Sequence, residues 1–280
     1  PEFTLQDMLD VSFSVSELRT GFSLNELKTA GMSITQVKDD FTIQEIKEEY
    51  SFSDVLTVGY DIDVIKENYE NTNTIVQIET GYEVSFILMN NNKIYGCGNN
   101  SYGILGIGNT TSQSTLIEVT NNTGKIPSKI SIKGLHLIIL MTDGTIYGCG
   151  SNGVGQLGIG NTTNRTTLTK MTNNTGKTPV DIETGRHNTM VLMSDGSIYG
   201  CGWNNGGQLG DGTNTNRSTL VKMINNTGKT IDKLFCGSTH SMLLMTDGTI
   251  YGCGSGYVGE LGTGSSNVVN RSLVELVNNT

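Results

Sequence analysis

Two rhythms of apolar and polar residues run along the chain. Between residues 3 and 70 a large apolar residue recurs every nine or ten positions, at Phe3, Phe13, Phe22, Met32, Phe41, Tyr50 and Tyr60. In the first six units a hydroxyl residue follows at once (Thr4, Ser14, Ser23, Ser33, Thr42, Ser51). Three residues later comes Asp7, Glu17, Glu26, Gln36, Glu45 or Asp54. That spacing is a capping box, in which hydroxyl and carboxylate or amide satisfy the orphan donors of a helix start. The pairs Phe13 and Leu18, Phe22 and Leu27, Met32 and Val37, Phe41 and Ile46 have the spacing of a hydrophobic staple. Two-turn helices are unstable alone and must stack, so residues 1–73 are predicted to form a small α-helical solenoid.

From about residue 75 the rhythm changes to short apolar runs separated by turn residues, and the whole pattern repeats every 52 residues. The copies read SFILMNNNKIYGCGNNSYGILGIGNTT, LIILMTDGTIYGCGSNGVGQLGIGNTT, TMVLMSDGSIYGCGWNNGGQLGDGTNT and SMLLMTDGTIYGCGSGYVGELGTGSSN. Asp143-Gly144, Asp195-Gly196 and Asp247-Gly248 each sit between two such runs and mark hairpin turns that accept positive φ; the first copy has Asn91-Asn92 there. A strand precedes each hairpin and another follows a Gly-rich loop. Residues 74–280 are therefore predicted to form a mainly β, propeller-like array of four four-stranded blades.

The wording DGxIYGCGxNxxGQLGxG, best kept in the second and third copies, is similar to the repeats of the regulator of chromosome condensation family. The resemblance covers about residues 75–280. That family closes with seven blades, so it implies here an incomplete or open ring, or one completed by another route. Cys97, Cys149, Cys201 and Cys253 stand where the family commonly has Trp. Some members of the family are nucleotide-exchange factors of Ran-like GTPases, but none of their functional residues can be carried onto a numbered position. The N-terminal units, as in GFSLNELKTAGMS, resemble short repeats in proteins of giant DNA viruses and other microbes, a likeness that implies no activity.

Charge divides the chain in the same place. Residues 1–73 hold 15 acidic and 5 basic side chains, a net of −10, against 12 and 13 beyond, a net of +1. Neither part has a dense basic stripe, which argues against nucleic-acid binding. With no apolar run of about 18 residues and no leader pattern, neither a membrane span nor a signal peptide is expected. A soluble, virion-associated or cytoplasmic protein is the expectation. The equally spaced cysteines are expected as small buried side chains, one per repeat, ahead of a thiolate metal ring. Met89, Met141, Met193 and Met245 are expected in the blade cores.

Candidate chemistry is sparse. His136, His187 and His240 occupy nearly equivalent repeat positions, which favours packing over catalysis. Asp211, Asn214 and Asn216 alternate like a calcium loop but lack its bidentate Glu. No catalytic residue, cofactor or metal is therefore assigned, and no enzyme is expected. Recognition is assigned to the loops in which the copies differ: Trp203, which replaces a small polar residue of its sisters, with Asn204, Tyr102 and Tyr257. Of the many N-x-S/T triplets, Asn109, Asn161, Asn216 and Asn270 are noted as glycosylation candidates. The function expected is a structural or protein-interaction scaffold, acting through a protein partner or self-association. The alternative is a regulator of a Ran-like GTPase. An array that stops at four blades must have its ends covered, by the helical units in first place, otherwise by a partner or a second copy.

Overall fold

A computed structural model describes residues 74–276 throughout. In the N-terminal part it describes residues 22–37 together with Ser14, Leu18, Phe41, Glu45 and Ile46. The chain divides into two compact units, Pro1–Thr74 and Ile75–Thr280.

In the first unit, α1 (Leu24–Thr29) and α2 (Ile34–Val37) each begin as the capping pattern requires. Ser23 N–H donates to Glu26 Oε2 at 2.8 Å and Ser33 N–H to Gln36 Oε1 at 2.8 Å. The bonds from Ser23 also hold the exposed Glu26 carboxyl below the usual carboxylate range. Leu18, Leu27, Met32, Val37, Phe41 and Ile46 are all buried, which places the staple partners inside. The remaining units of the predicted helical array lie outside the described residues.

The second unit is four antiparallel sheets, each wound in chain order. The first blade is β1 (Ile75–Gly81), β2 (Val84–Met89), β3 (Ile94–Gly98) and β4 (Gln113–Glu118). The second is β5 (Pro127–Ser131), β6 (His136–Met141), β7 (Ile146–Gly150) and β8 (Arg165–Lys170). The third is β9 (Pro179–Thr184), β10 (Asn188–Met193), β11 (Ile198–Gly202) and β12 (Arg217–Lys222). The fourth is β13 (Ile231–Cys236), β14 (His240–Met245), β15 (Ile250–Gly256) and β16 (Val268–Glu275). Among the described residues the blades form an open array, not a closed ring. In each Asp-Gly turn only the glycine takes positive φ, for example Gly144 at +77°, while Asp143 accepts from Thr145 N–H at 2.9 Å.

The first strands of successive blades lie side by side. The Gln77 amide brackets the backbone of Ile130 at 2.8 and 2.9 Å, Lys129 Nζ meets Asp181 at 2.6 Å, and Ser131 Oγ accepts from Thr184 N–H at 2.9 Å. Behind them the blades pack face to face. Phe86, Leu88 and Ile94 of blade one meet Ile130, Leu137, Ile139 and Met141 of blade two, and the same arrangement recurs at the next two interfaces. This is why β6 is buried on both faces while β2 and β14, in the end blades, alternate. Each large apolar side chain so buried contributes about 1.5–3 kcal/mol.

The repeated cysteines take part in this packing. Cys149, Cys201 and Cys253 are fully buried, their thiols pushed up to about 12 by burial, and each points Sγ at a carbonyl of the preceding blade. The acceptors are Ile104 O at 3.2 Å, Gln156 O at 3.5 Å and Gln208 O at 3.6 Å. The thiols belong to three separate cores, so they do not converge on one point.

His136 is also fully buried, with Nε2 3.0 Å from Thr189 Oγ1 of the next blade. Burial, and next the neighbouring His187, lower its pKa from 6.5 to about 3. Only the unfolded chain then binds a proton near pH 6.5. The associated stability is complete above that pH and is lost as pH falls toward 3, by about 2 kcal/mol at pH 5. In His136→Asn, which copies Asn188 at the same position of blade three, that part of the pH dependence should vanish. Urea unfolding of both proteins at pH 7.5 and 5.0 checks this, and equal losses on acidification would refute it.

Candidate interaction surface

In a four-stranded antiparallel meander the turn after the first strand and the loop after the third lie at the same end. That end is therefore built from the turns β1–β2, β5–β6, β9–β10 and β13–β14 and from the long Gly-rich loops. Each long loop is organised by a buried asparagine. Asn152 Nδ2 donates to Asn161 O at 2.9 Å and Thr163 O at 3.1 Å, while its Oδ1 accepts from Leu157 N–H at 2.9 Å. Asn100 and Asn204 do the same in blades one and three. The glutamine of the recurring Q-L-G triplet adds a second brace, as Gln156 Oε1 accepts from Val154 N–H and its Nε2 donates to Ser151 Oγ. Blade four has Gly256 in place of the asparagine. There Glu260 holds the loop through Ser255 Oγ and Val258 N–H, both at 2.8 Å.

Trp203 is built on this frame. Its N–H donates to His187 O at 2.8 Å, the contact that Asn99, Ser151 and Ser255 make with Glu83, Leu135 and Thr239 in their own blades. The indole is therefore additional to a backbone bond that every blade makes without it. The ring is half-buried and stands edge-on to His187, with centroids 6.1 Å apart and an interplanar angle of 87°. Together with Val154, Arg186, Ser238 and Thr239 the two rings line a groove of about 390 Å³ that draws on blades two, three and four. Burial, then the charge of Arg186, lowers the pKa of His187, so the exposed guanidinium is the cation at this site.

The other sequence candidates are placed differently. Asn204 is fully buried and its side chain is taken up by Asp211, Thr213, Thr215 and Leu209, so it shapes the loop and cannot touch a partner. Tyr102 and Tyr257 are exposed at the same end, on the loops of the first and last blades, and neither lines the Trp203 groove. Val258, beside Tyr257, is 88 % exposed and was not singled out from the sequence. The Asp211 carboxylate is taken by Arg217, at 2.8 and 2.9 Å, which removes the first ligand, and the one carboxylate, of the calcium-like spacing. Of the sequon asparagines, Asn109, Asn161 and Asn216 are on exposed loops, whereas Asn270 lies half-buried in β16 opposite Gly254. A cavity of about 580 Å³ at the opposite end contains Lys177 and Lys229, but these pair with Asp195 and Asp247.

Blades, buried asparagines and Q-L-G braces correspond to a described repeat. The Regulator of chromosome condensation (RCC1) repeat matches residues 143–192 and 195–244, and a second profile of the same description matches 75–104, 128–156, 180–208 and 231–260. The chain belongs to the RCC1 repeat family. Among curated relatives, this RCC1-repeat chain is 29 % identical over 203 residues to the Ultraviolet-B receptor UVR8 of Arabidopsis thaliana, across 72 % of the chain and 46 % of the receptor. It is 30 % identical over 194 residues to the Probable E3 ubiquitin-protein ligase HERC4 of Homo sapiens, across 69 % of the chain but 18 % of the ligase. It thus spans less than half the length of either relative. Among solved structures, yeast RCC1 (Prp20) bound to Kap60 superposes with a TM-score of 0.63 at 19 % identity, over 74 % of this chain and 50 % of that one. Human WBSCR16 gives 0.66 at 18 %, over 74 % and 54 %. At such identities the likeness concerns the fold.

Proposed function

We propose that this chain is a non-enzymatic protein-interaction scaffold whose blades hold the Trp203 groove open toward a protein partner. The observation that carries the reading is the indole itself, added to a loop position that the sister blades fill with Asn or Ser, edge-on to His187 and lining one groove with His187 and Arg186. Aromatic and arginine side chains are the usual anchors of protein interfaces. A partner segment that laid an apolar side chain on Trp203 and a carboxylate beside Arg186 would fit. Support also comes from yeast RCC1, whose structures are described with Kap60 and with binding to Gsp1p and histones.

Trp203→Ser should keep the parent's melting temperature to within about 2 °C, since it removes no backbone bond. Its affinity for the protein that the parent captures from native extracts should fall at least about tenfold, roughly 1.4 kcal/mol. Undiminished capture by the variant would remove this groove as the docking site.

A second reading, regulation of a Ran-like GTPase, rests on the likeness to yeast RCC1. Nucleotide release from a panel of small GTPases, accelerated by catalytic amounts of this chain, would favour it over the scaffold. A structural role in a virion draws only on the resemblance of the N-terminal units.

A further inference from the structure

Three residues of the Trp203 groove belong to blade three alone. The β9–β10 turn carries Arg186 and His187, where the corresponding turns hold Tyr82 and Glu83, Gly134 and Leu135, and Ser238 and Thr239. The indole joins them at a position that the sister loops fill with Asn or Ser, and it displaces a buried bond in doing so. In blades two and four the brace closes on the hydroxyl at that position, with Gln156 Nε2 3.0 Å from Ser151 Oγ and Ser255 Oγ 2.8 Å from Glu260 Oε1. Blade three has no hydroxyl there, and Gln208 Nε2 is buried without an acceptor. The polar groups that line the groove are equally one-sided. Among the described residues, no hydrogen bond or ion pair joins the Arg186 guanidinium, the Trp203 indole N–H or the Ser238 and Thr239 hydroxyls to another protein group, and no carboxylate lines the groove.

We infer that the groove binds a partner's carboxylate beside Arg186 and His187, and that protonation of His187 tightens its hold, so that docking strengthens on mild acidification. The inference rests on this groove being the docking site. A guanidinium meets a carboxylate through two parallel N–H bonds, and a single fixed cation matches the single charge of an Asp or Glu side chain better than the double charge of a phosphate. Once protonated, the imidazole becomes a second cation and a second donor on the same turn. Nothing charged opposes it. Val154, Trp203, Ser238 and Thr239 line the groove with it and are uncharged, and Arg186 is its neighbour in the chain. The β5–β6 turn packed against this one offers Lys133, taken by Cys236 O at 2.9 Å, and the buried His136, neutral down to about 3. In blade four the Glu260 carboxyl is held by Ser255 Oγ and Val258 N–H. Burial, then Arg186, lowers the His187 pKa from 6.5, so the ring is neutral at pH 7.5. A bound carboxylate favours the protonated ring, so by linkage affinity is lowest above that pKa and rises as pH falls through it.

Trp203 is the chain's single tryptophan, so its emission reports on this groove. The probes are the capped peptide Leu-Glu-Leu and its glutamine counterpart, titrated into the full chain at pH 7.5 and 5.5, where the glutamate stays ionised. The glutamate peptide should bind at least about tenfold tighter than the glutamine peptide at pH 5.5, and at least about threefold tighter there than at pH 7.5. The glutamine peptide should show no such rise. Two variants copy the β13–β14 turn of blade four and should therefore fold. His187→Thr should abolish the pH dependence while keeping a preference for glutamate, and Arg186→Ser should lose that preference at pH 7.5. In the free chain the protonated imidazole, edge-on to the indole, should quench its emission with a midpoint below pH 6.5, a step that His187→Thr removes. Equal affinity for the two peptides, or no response to either, would overturn the inference. So would a pH dependence that is absent, or that survives in His187→Thr. These outcomes are separate from the docking reading itself, which stands or falls on partner capture by Trp203→Ser.

Discussion

Gly134→Ala is expected to cost the β unit more than about 3 kcal/mol, enough to consume much of the stability of an ordinary domain. Gly134 lies in the β5–β6 turn, where blade two meets the backbone of blade three. A Cβ there would fall 1.9 Å from Arg186 O, 2.8 Å from its carbonyl carbon and 3.1 Å from its Cα. All three are backbone atoms, so no rotamer change relieves the overlap and the two blades must move apart. Arg186 also lines the recognition groove, so the groove should widen in whatever fraction remains folded. Gly153→Ala is the control: it is at the same end of blade two, with nothing within 4 Å of its added methyl and no positive φ, and should change stability by less than about 0.5 kcal/mol. Urea unfolding of the two variants compares them directly. A loss below about 1 kcal/mol for Gly134→Ala would mean that blades two and three do not approach as closely as they do here.

Asn152→Ala should cost nearly as much, about 3–5 kcal/mol, through a different cause. The alanine strands the Leu157 N–H and deprives Asn161 O and Thr163 O of their donor, in a site where the asparagine is 0 % exposed. An unsatisfied buried backbone group costs about 1–3 kcal/mol, and the three losses are coupled through one loop. Asn152→Asp separates the roles, since it keeps the acceptor for Leu157 but sets a carboxylate against two carbonyl oxygens. It should be no more stable than the alanine variant. Amide exchange at Leu157 should accelerate in Asn152→Ala well beyond that of the β6–β7 hairpin. Unchanged protection would show that the loop holds itself without this side chain.

The blade repeat was legible because its period of 52 residues, its apolar runs and its Asp-Gly turns express requirements of each blade taken alone. The capping boxes at Ser23 and Ser33 were legible for the same reason: an N-cap and its partner are three residues apart in sequence and in space. Trp203 stood out by comparison with its sister copies. Its neighbours Arg186, Ser238 and Thr239 did not, because they come from the β9–β10 turn and from the β13–β14 turn of another blade and have no spacing to betray them. Asn204 was misread from the same loop. Its role depends on the carbonyls of Thr213 and Thr215, brought to it only by the loop's return, and an asparagine that serves as internal scaffold looks in sequence like one offered to a partner.

The sequence by itself determined the four-stranded blade repeat, the strand order within each blade and the cysteine at one fixed position of every copy, because these follow from local periodicity and turn chemistry. Tertiary structure alone decided what each face of a blade does. Ile78 and Ile130 are the same residue type at the same repeat position, yet one is exposed and the other buried. Cys97 and Cys149 differ in the same way. Burial is a property of the neighbour, and a repeat sequence writes the same residue whether or not a neighbour is there. Which of the repeated apolar positions are covered, among the described residues, is therefore visible only once the blades are stacked.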